Sequence, residues 1–361
     1  MNLARNDTRI VGIDLFCGAG GMTLGAHHAG IKVIYAVEKC PHAAATYRLN
    51  FPMIPLHADD IRKVHELPPK PRGARTVIFG GPPCQGFSTS NQRTRNGQNP
   101  NNWLFMEFIR LVSLWKPDWV VMENVKGITE TEGGRFLTGA IQSLEAAGYS
   151  VSFKLLNSVD FGVPQRRTRA FIVGSRRGKA YGFPTPGTRK ALTVLEAIGD
   201  LPSLSNGASI DELPYGRKAS SPYARKLRNG RRNASGNLVT RNARYIIERY
   251  LHVPPGGNWT HIPESLFSNY TDYERCHTGI YRRLDATKPS VVIGNFRKNM
   301  LIHPYENRGL SIREAARIQS VPDHFCFSGS IGFQQQQVGN MVPPRLAEAV
   351  FQQLPSENVC I

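Results

Sequence analysis

Cys84 sits in Gly80-Gly81-Pro82-Pro83-Cys84-Gln85-Gly86-Phe87-Ser88, where glycines and prolines fix an unusual turn just past an apolar stretch. A thiol beside freed backbone amides can have its pKa lowered and become a nucleophile. A lone cysteine is more often a small buried thiol, but the prolines and glycines around this one argue for a built site. Glu123-Asn124-Val125 follows the apolar run Trp119-Val120-Val121-Met122. A carboxyl at the end of a buried strand is partly desolvated, which raises its pKa and suits a proton donor near neutral pH. The competing reading is an acid at a helix N-terminus, with Asn124 as the cap. In Gln165-Arg166-Arg167-Thr168-Arg169 an extended backbone puts Arg167 and Arg169 on one face and Arg166 on the other. A plain basic strand edge would give the same spacing.

These residues need a scaffold, and the pattern from residue 9 to about 175 supplies one: strand, turn, helix, repeated. Ile10–Phe16 reads as a buried strand entering the turn Gly18-Ala19-Gly20-Gly21. Further strands are expected at Lys32–Val37, Thr76–Phe79, Asp118–Met122, Val151–Leu156 and Ala170–Val173, and helices at Pro41–Asn50, Trp103–Trp115 and Arg135–Ala147. Alternating strands and helices imply an α/β fold with a mostly parallel, doubly wound sheet. A glycine turn after the first strand brings backbone close to a ligand at the sheet's carboxyl edge, although alone it could be only a turn. Glu38 closes the second strand 20 residues after Gly18, where a carboxylate can accept hydrogen bonds from ribose hydroxyls. Asp60-Ile61 could contact an adenine ring or simply cap a helix.

The chain has 361 residues, with 45 Lys+Arg against 27 Asp+Glu, a net charge of +18. It is 40% hydrophobic and 20% charged, which excludes a disordered basic tail. The length suggests two domains. Residues 175–310 are rich in Pro, Gly, Asn and Ser. Within them, residues 214–250 carry ten Lys and Arg against Glu248 alone, half of the whole surplus. A solvated loop-rich insertion or a phosphate-contacting surface would both explain this run. Charge by itself does not separate DNA, RNA or an acidic protein as the partner. The start of the chain has no signal-peptide core, no stretch spans a membrane, and the six cysteines form no close pair. A cytoplasmic protein without a metal site is expected.

In their order along the chain these segments resemble the DNA cytosine-C5 methyltransferases. The match covers Asp14-Leu15-Phe16-Cys17-Gly18-Ala19-Gly20-Gly21, Glu38, Gly81–Ser88, Glu123-Asn124-Val125 and Gln165–Arg169. It continues through Arg313–Pro322 and Gln337-Val338-Gly339-Asn340-Met341-Val342-Pro343-Pro344. The resemblance implies a Rossmann-like sheet that binds S-adenosyl-L-methionine and a smaller, loop-rich target-recognition domain. It assigns 8–180 with 333–361 to the first and 181–332 to the second. It implies Cys84 as the nucleophile that attacks cytosine C6, Glu123 as donor to N3, and Arg167 as holder of the base, with Arg169 and Asn124 in support. The implied cofactor contacts are Phe16, Gly18, Ala19, Gly20, Gly21, Glu38, Lys39, Asp60, Ile61, Pro82, Leu104, Asn340 and Val342.

Double-stranded DNA is the implied partner, bound by a monomer, with a restriction endonuclease acting separately on the same site. Gln85, Ser88, Arg93, Arg95, Arg225, Arg228, Arg231 and Arg232 are the expected DNA contacts. The loop before the third helix departs from the family: it reads Asn99-Pro100-Asn101-Asn102, without the usual acid and arginine. Two other classes stay open at this point. One is an RNA methyltransferase of the same fold, and the other is a DNA-binding regulator without catalysis.

Overall fold

The computed structural model describes residues 10–355 except 84–103, 179, 189, 220, 268–278, 295, 297 and 299. The chain divides into two compact units. One holds the described residues of 1–157, 168–186 and 344–361, and the other those of 158–167 and 187–343. Residues 158–167 and 333–343 thus fall in the second unit, whereas the sequence reading grouped them with the sheet.

The first unit is built on seven strands: β1 (Ile10–Leu15), β2 (Lys32–Val37), β3 (Leu56–His57), β4 (Arg75–Gly80), β5 (Trp119–Val125), β6 (Ser150–Asn157) and β7 (Thr168–Ser175). They lie in the order β3-β2-β1-β4-β5-β7-β6. Pairings among β1 to β5 are parallel, and β7 runs antiparallel to both β5 and β6. The sheet is therefore mostly parallel. β1 and β4 are buried at every residue, the pattern of strands covered on both faces.

Helices α1 (Gly21–His28), α2 (Pro41–Asn50), α3 (Leu104–Trp115), α4 (Arg135–Ala146) and α10 (Pro344–Phe351) complete this unit. Alternation along the strands decides which helix meets which face. Ile13, Leu15, Ile78, Val120 and Met122 share a core with Phe105, Phe108, Val112 and Trp115 of α3 and Phe136 and Leu144 of α4. Phe79, one residue out of phase, meets Phe351 of α10 edge to face at 4.8 Å, and α10 packs on α1. β5 runs to Val125, past the expected end at Met122, because Glu123 and Asn124 stay in register with Phe171 and Ala170 of β7. Polar side chains hid that extension from an apolar-pattern reading.

The second unit has little regular structure. It holds α5 (Val194–Ile198), α6 (Pro222–Arg228), α7 (Arg244–Leu251), α8 (Ile312–Ile318), α9 (Ile331–Asn340) and a two-residue pairing of β8 (Leu213–Pro214) with β9 (Asn233–Ala234). All seven residues of α8 are buried, including Arg313, Glu314 and Arg317. Arg317 forks onto Asp323 at 2.7 Å and reaches Asp200 at 2.8 Å. Arg308 reaches Glu314 with two donors at 2.7 and 2.9 Å. Loops leave carbonyls that no strand can pair, and guanidinium groups with five donors each satisfy them. Arg313 donates to Ser235, Pro322 and Phe325 carbonyls, and Arg283 to those of Tyr250, Val253 and His303.

Candidate active site

The neighbours of β1 in the sheet are β2 and β4, so connections leave it in opposite directions and open a crevice at its carboxyl end. Gly80 ends β4 there. A Cβ on it would stand 1.7 Å from Leu15 O, so only glycine lets the two strand ends lie so close. Beyond β1 the chain turns through positive φ at Phe16 (61°), Gly18 (55°) and Gly20 (98°) before α1 begins.

Glu38, just past β2, clasps this turn. Its Oε2 accepts from Gly18 N at 2.8 Å and its Oε1 from Cys40 N at 2.7 Å. Burial pushes Glu38 above the ordinary carboxylate range, against the pull of those amides. Each oxygen keeps a lone pair that a diol could use. Ala19 and Gly21 are buried, and nothing would meet a Cβ on Gly18 within 4 Å, so the turn faces open space. Lys39 Nζ and Arg62 Nη2 approach Asp60 Oδ2 at 2.8 and 2.6 Å. Hydrogen bonds from Arg62 and Lys39 hold Asp60 far below the usual carboxylate range. Asp60 also accepts from Arg62 N and so caps the short helix Ile61–Lys63. Ile61 is buried in the core, Leu104 packs against that core, and Pro82 is buried. Asn340 and Val342 belong to the second unit, where Asn340 is exposed and Val342 buried.

Asp14 opens the matched run Asp14–Gly21, but the sequence reading gave it no role. It is fully buried beneath the turn, and Thr23 Oγ1 donates to its Oδ2 at 2.6 Å and meets Tyr47 Oη at 2.9 Å. Burial raises Asp14 to about 8. The signal was an acid one residue before the end of an otherwise apolar strand.

Glu123 and Asn124 both face the segment that leads to Cys84. A Cβ on Gly81 would lie 2.9 Å from Glu123 Oε2, and Asn124 Nδ2 donates to Pro82 O at 3.4 Å. Arg169 Nε pairs with Glu123 Oε1 at 2.9 Å, with both side chains nearly buried. A strand interior, not a helix N-terminus, therefore carries the carboxylate. Arg167 is 1% exposed and donates from Nη2 to Gly339 O at 2.8 Å within the second unit, while Arg166 is exposed. Arg167 and Arg169 thus belong to different units. Cys84, Gln85, Ser88, Arg93, Arg95 and the run Asn99–Asn102 lie outside the described residues.

Of the expected DNA contacts in the second unit, Arg225, Arg231 and Arg232 are exposed. Arg228 is not available in the same way. Its Nε donates to Asp200 at 2.6 Å and its guanidinium stacks 3.7 Å from the Tyr215 ring centroid. Arg249, from the same basic run, is buried, donating to Leu266 O and Tyr281 Oη. Two of the ten basic residues thus serve the fold. No helix among the described residues is long and apolar enough to cross a membrane.

Residues 10–356 match the C-5 cytosine-specific DNA methylase family. Similar proteins include the type II methyltransferase M1.HphI of Haemophilus parahaemolyticus, 37% identical over 94% of this chain and 84% of its own length. The type II methyltransferase M.DdeI of Desulfomicrobium norvegicum is 31% identical over 95% of this chain and 88% of its own. A crystal structure from E. coli, described as a DNA modification methyltransferase encoded within a prophage, superposes with a TM-score of 0.76 at 26% identity. That likeness covers 95% of this chain and 98% of the other.

Proposed function

Because the chain belongs to the C-5 cytosine-specific DNA methylase family, we propose that this DNA cytosine-5 methyltransferase works through a covalent Cys84–C6 adduct on a flipped-out base. Cytosine C5 is a poor nucleophile until C6 carries an added group. Cys84 Sγ bonds to C6 while Glu123 gives a proton to N3, and C5 gains enamine character. S-adenosyl-L-methionine supplies the electrophilic methyl group when bound. Once C5 carries it, loss of the C5 proton breaks the Sγ–C6 bond and returns the N3 proton, restoring the ring. C6 is out of reach inside a duplex, so the base must leave the stack at a cost of a few kcal/mol.

The observation that carries this reading is the Glu123 carboxylate, buried against Gly81 three residues before Cys84 and paired with Arg169. Arg169 fixes the orientation of the carboxylate. Asn124 supports the backbone at Pro82, and Arg167 holds the base and its developing charge. The turn Phe16–Gly21 with Glu38 suits the cofactor: the space over Gly18 is open and the Glu38 oxygens can take the ribose hydroxyls. Phe16, Lys39, Asp60, Ile61, Pro82, Leu104, Asn340 and Val342 are proposed to complete that site. Double-stranded DNA is proposed to lie against Gln85, Ser88, Arg93, Arg95, Arg225, Arg231 and Arg232. Its modification would protect sites from a separate endonuclease, as the type II relatives suggest.

Labelled methyl transfer to duplex DNA tests the reading. Wild type should label DNA and not total tRNA, and Cys84→Ser should fall to background. Cys84→Ser at the wild-type rate would refute the mechanism, and preferential tRNA labelling would refute the substrate. Bisulfite sequencing of host DNA after expression reports the site.

A further inference from the structure

We propose that the buried amide pair Gln165–Gln319 positions Arg167 for methyl transfer; the inference rests on the reading of Arg167 as a base-holding residue. Residues 158–167 close on themselves: Ser158 N donates to Arg167 O at 2.9 Å and Ser158 Oγ to Gln165 O at 2.7 Å. The loop is then stitched to the rest of the second unit. Ser290 N donates to Pro164 O and Arg166 N to Ser290 O, each at 2.9 Å.

Gln165 and Gln319 are both fully buried. Gln165 Oε1 accepts from Ile293 N at 3.2 Å, and its Nε2 donates to Gln319 Oε1 at 3.0 Å. Gln319 Nε2 donates in turn to Val338 O at 2.9 Å. The next carbonyl, Gly339 O, is the one that receives Arg167. Gly339 also packs close to the segment where the chain of amides began: a Cβ on it would lie 1.8 Å from Gly294 O, one residue past Ile293.

Two backbone groups fix the direction of this chain. The Ile293 amide can only donate and the Val338 carbonyl can only accept. Each glutamine therefore has one permitted amide orientation, and neither can rotate without setting like groups against each other. A directional chain of neutral amides is rigid without burying charge. It ties Arg167's own loop to the carbonyl that receives Arg167's guanidinium, so the arginine is held at both its backbone and its tip. Positioning of this kind acts on the rate, since a displacement of about 1 Å can cost on the order of 100-fold.

The test is a double-mutant cycle in single-turnover methyl transfer to duplex DNA, with thermal midpoints measured beside it. Gln165→Met keeps the volume and removes both hydrogen bonds; Gln319→Met does the same from the other end and serves if the first variant does not fold. Either should lower kcat by about 10- to 100-fold with KM for DNA unchanged. In an Arg167→Ala background the same substitution should cost no further rate. The inference is overturned if kcat stays at the wild-type value, or if the loss is equally large without Arg167, which would mark a merely structural pair. Arg167→Ala at the wild-type rate would instead sink the reading of Arg167 itself, whatever the glutamines do.

Discussion

The two units solve one problem, the pairing of buried backbone polar groups, by different means. In the first, strand-to-strand ladders satisfy the main chain, and the space beneath the sheet fills with Ile, Leu, Val and Phe. In the second, loops leave carbonyls unmatched, and buried Arg249, Arg283, Arg308, Arg313 and Arg317 take their place as donors. A sheet edge built the first way can hold a few reactive groups rigidly. A loop scaffold built the second way can vary its surface while a charged core keeps its shape. Glu123 and the turn Phe16–Gly21 lie in the first unit, and Arg167 and the exposed Arg225, Arg231 and Arg232 in the second.

The largest effect that would sharpen this contrast is catalytic. Glu123→Gln keeps the shape and removes the acid proposed to protonate N3, and should lower the methylation rate by about 100- to 10,000-fold. A small change in DNA affinity should accompany it, measured by titration of labelled duplex. Next is the charged core. Arg317→Met leaves Asp200 and Asp323 short of a partner and should destabilise the second unit by about 3–5 kcal/mol. Amide exchange resolved by segment should show opening in 187–343 while β1, β4 and β5 stay protected. Exchange rising equally in both units would break the contrast.

Two buried carboxyls, one in each unit, should also respond to pH in opposite senses. Asp14 is raised to about 8 by burial, so its contribution is complete below its unfolded value near 4 and is lost as pH rises toward 8. Burial alone would push Glu314 up, but Arg308 and His303 beside it bring it to about 2. Its contribution is present above the unfolded value and is lost as pH falls toward 2. Asp14→Asn keeps an acceptor for Thr23 and should gain on wild type by up to about 1.4 kcal/mol per pH unit between pH 4 and 8. Parallel melting curves for the two proteins across that range would contradict it. The smallest effect is at the surface. Replacing Arg231 and Arg232 with alanine should make the salt dependence of DNA binding shallower by about 1.8 in log–log slope, at unchanged stability. An unchanged slope would remove them from the interface.

How far the sequence could be read follows the same division. Strands such as Ile10–Leu15 and Arg75–Gly80 announce themselves because, Asp14, Arg75 and Thr76 apart, their residues are apolar or glycine, as burial on both faces demands. Glu38, Glu123 and Asn124 were legible because polar groups at the ends of such strands are conspicuous. Arg228 was read toward phosphate, and Arg249 could not be told apart from its neighbours in the run, because a guanidinium looks alike whether it meets DNA or a buried carbonyl. Only the fold shows Asp200 and Leu266 O waiting for them. The run Gln334–Gln337 carries no sign in its sequence of the partners it meets. It lies in α9, where Gln334, Gln335 and Gln337 spend their amides on Gly329 O, Thr240 and Ser328 O.

The covalent step is the claim on which the account turns, and trapping tests it most directly. Duplex DNA bearing 5-fluorocytosine has no C5 proton to lose, so the adduct cannot resolve once methylated. Incubated with S-adenosyl-L-methionine, wild type should give a denaturation-resistant protein–DNA complex mapped to Cys84, and Cys84→Ser should give none. Methylation of ordinary duplex with no trapped complex, or a complex that maps to another residue, would contradict it.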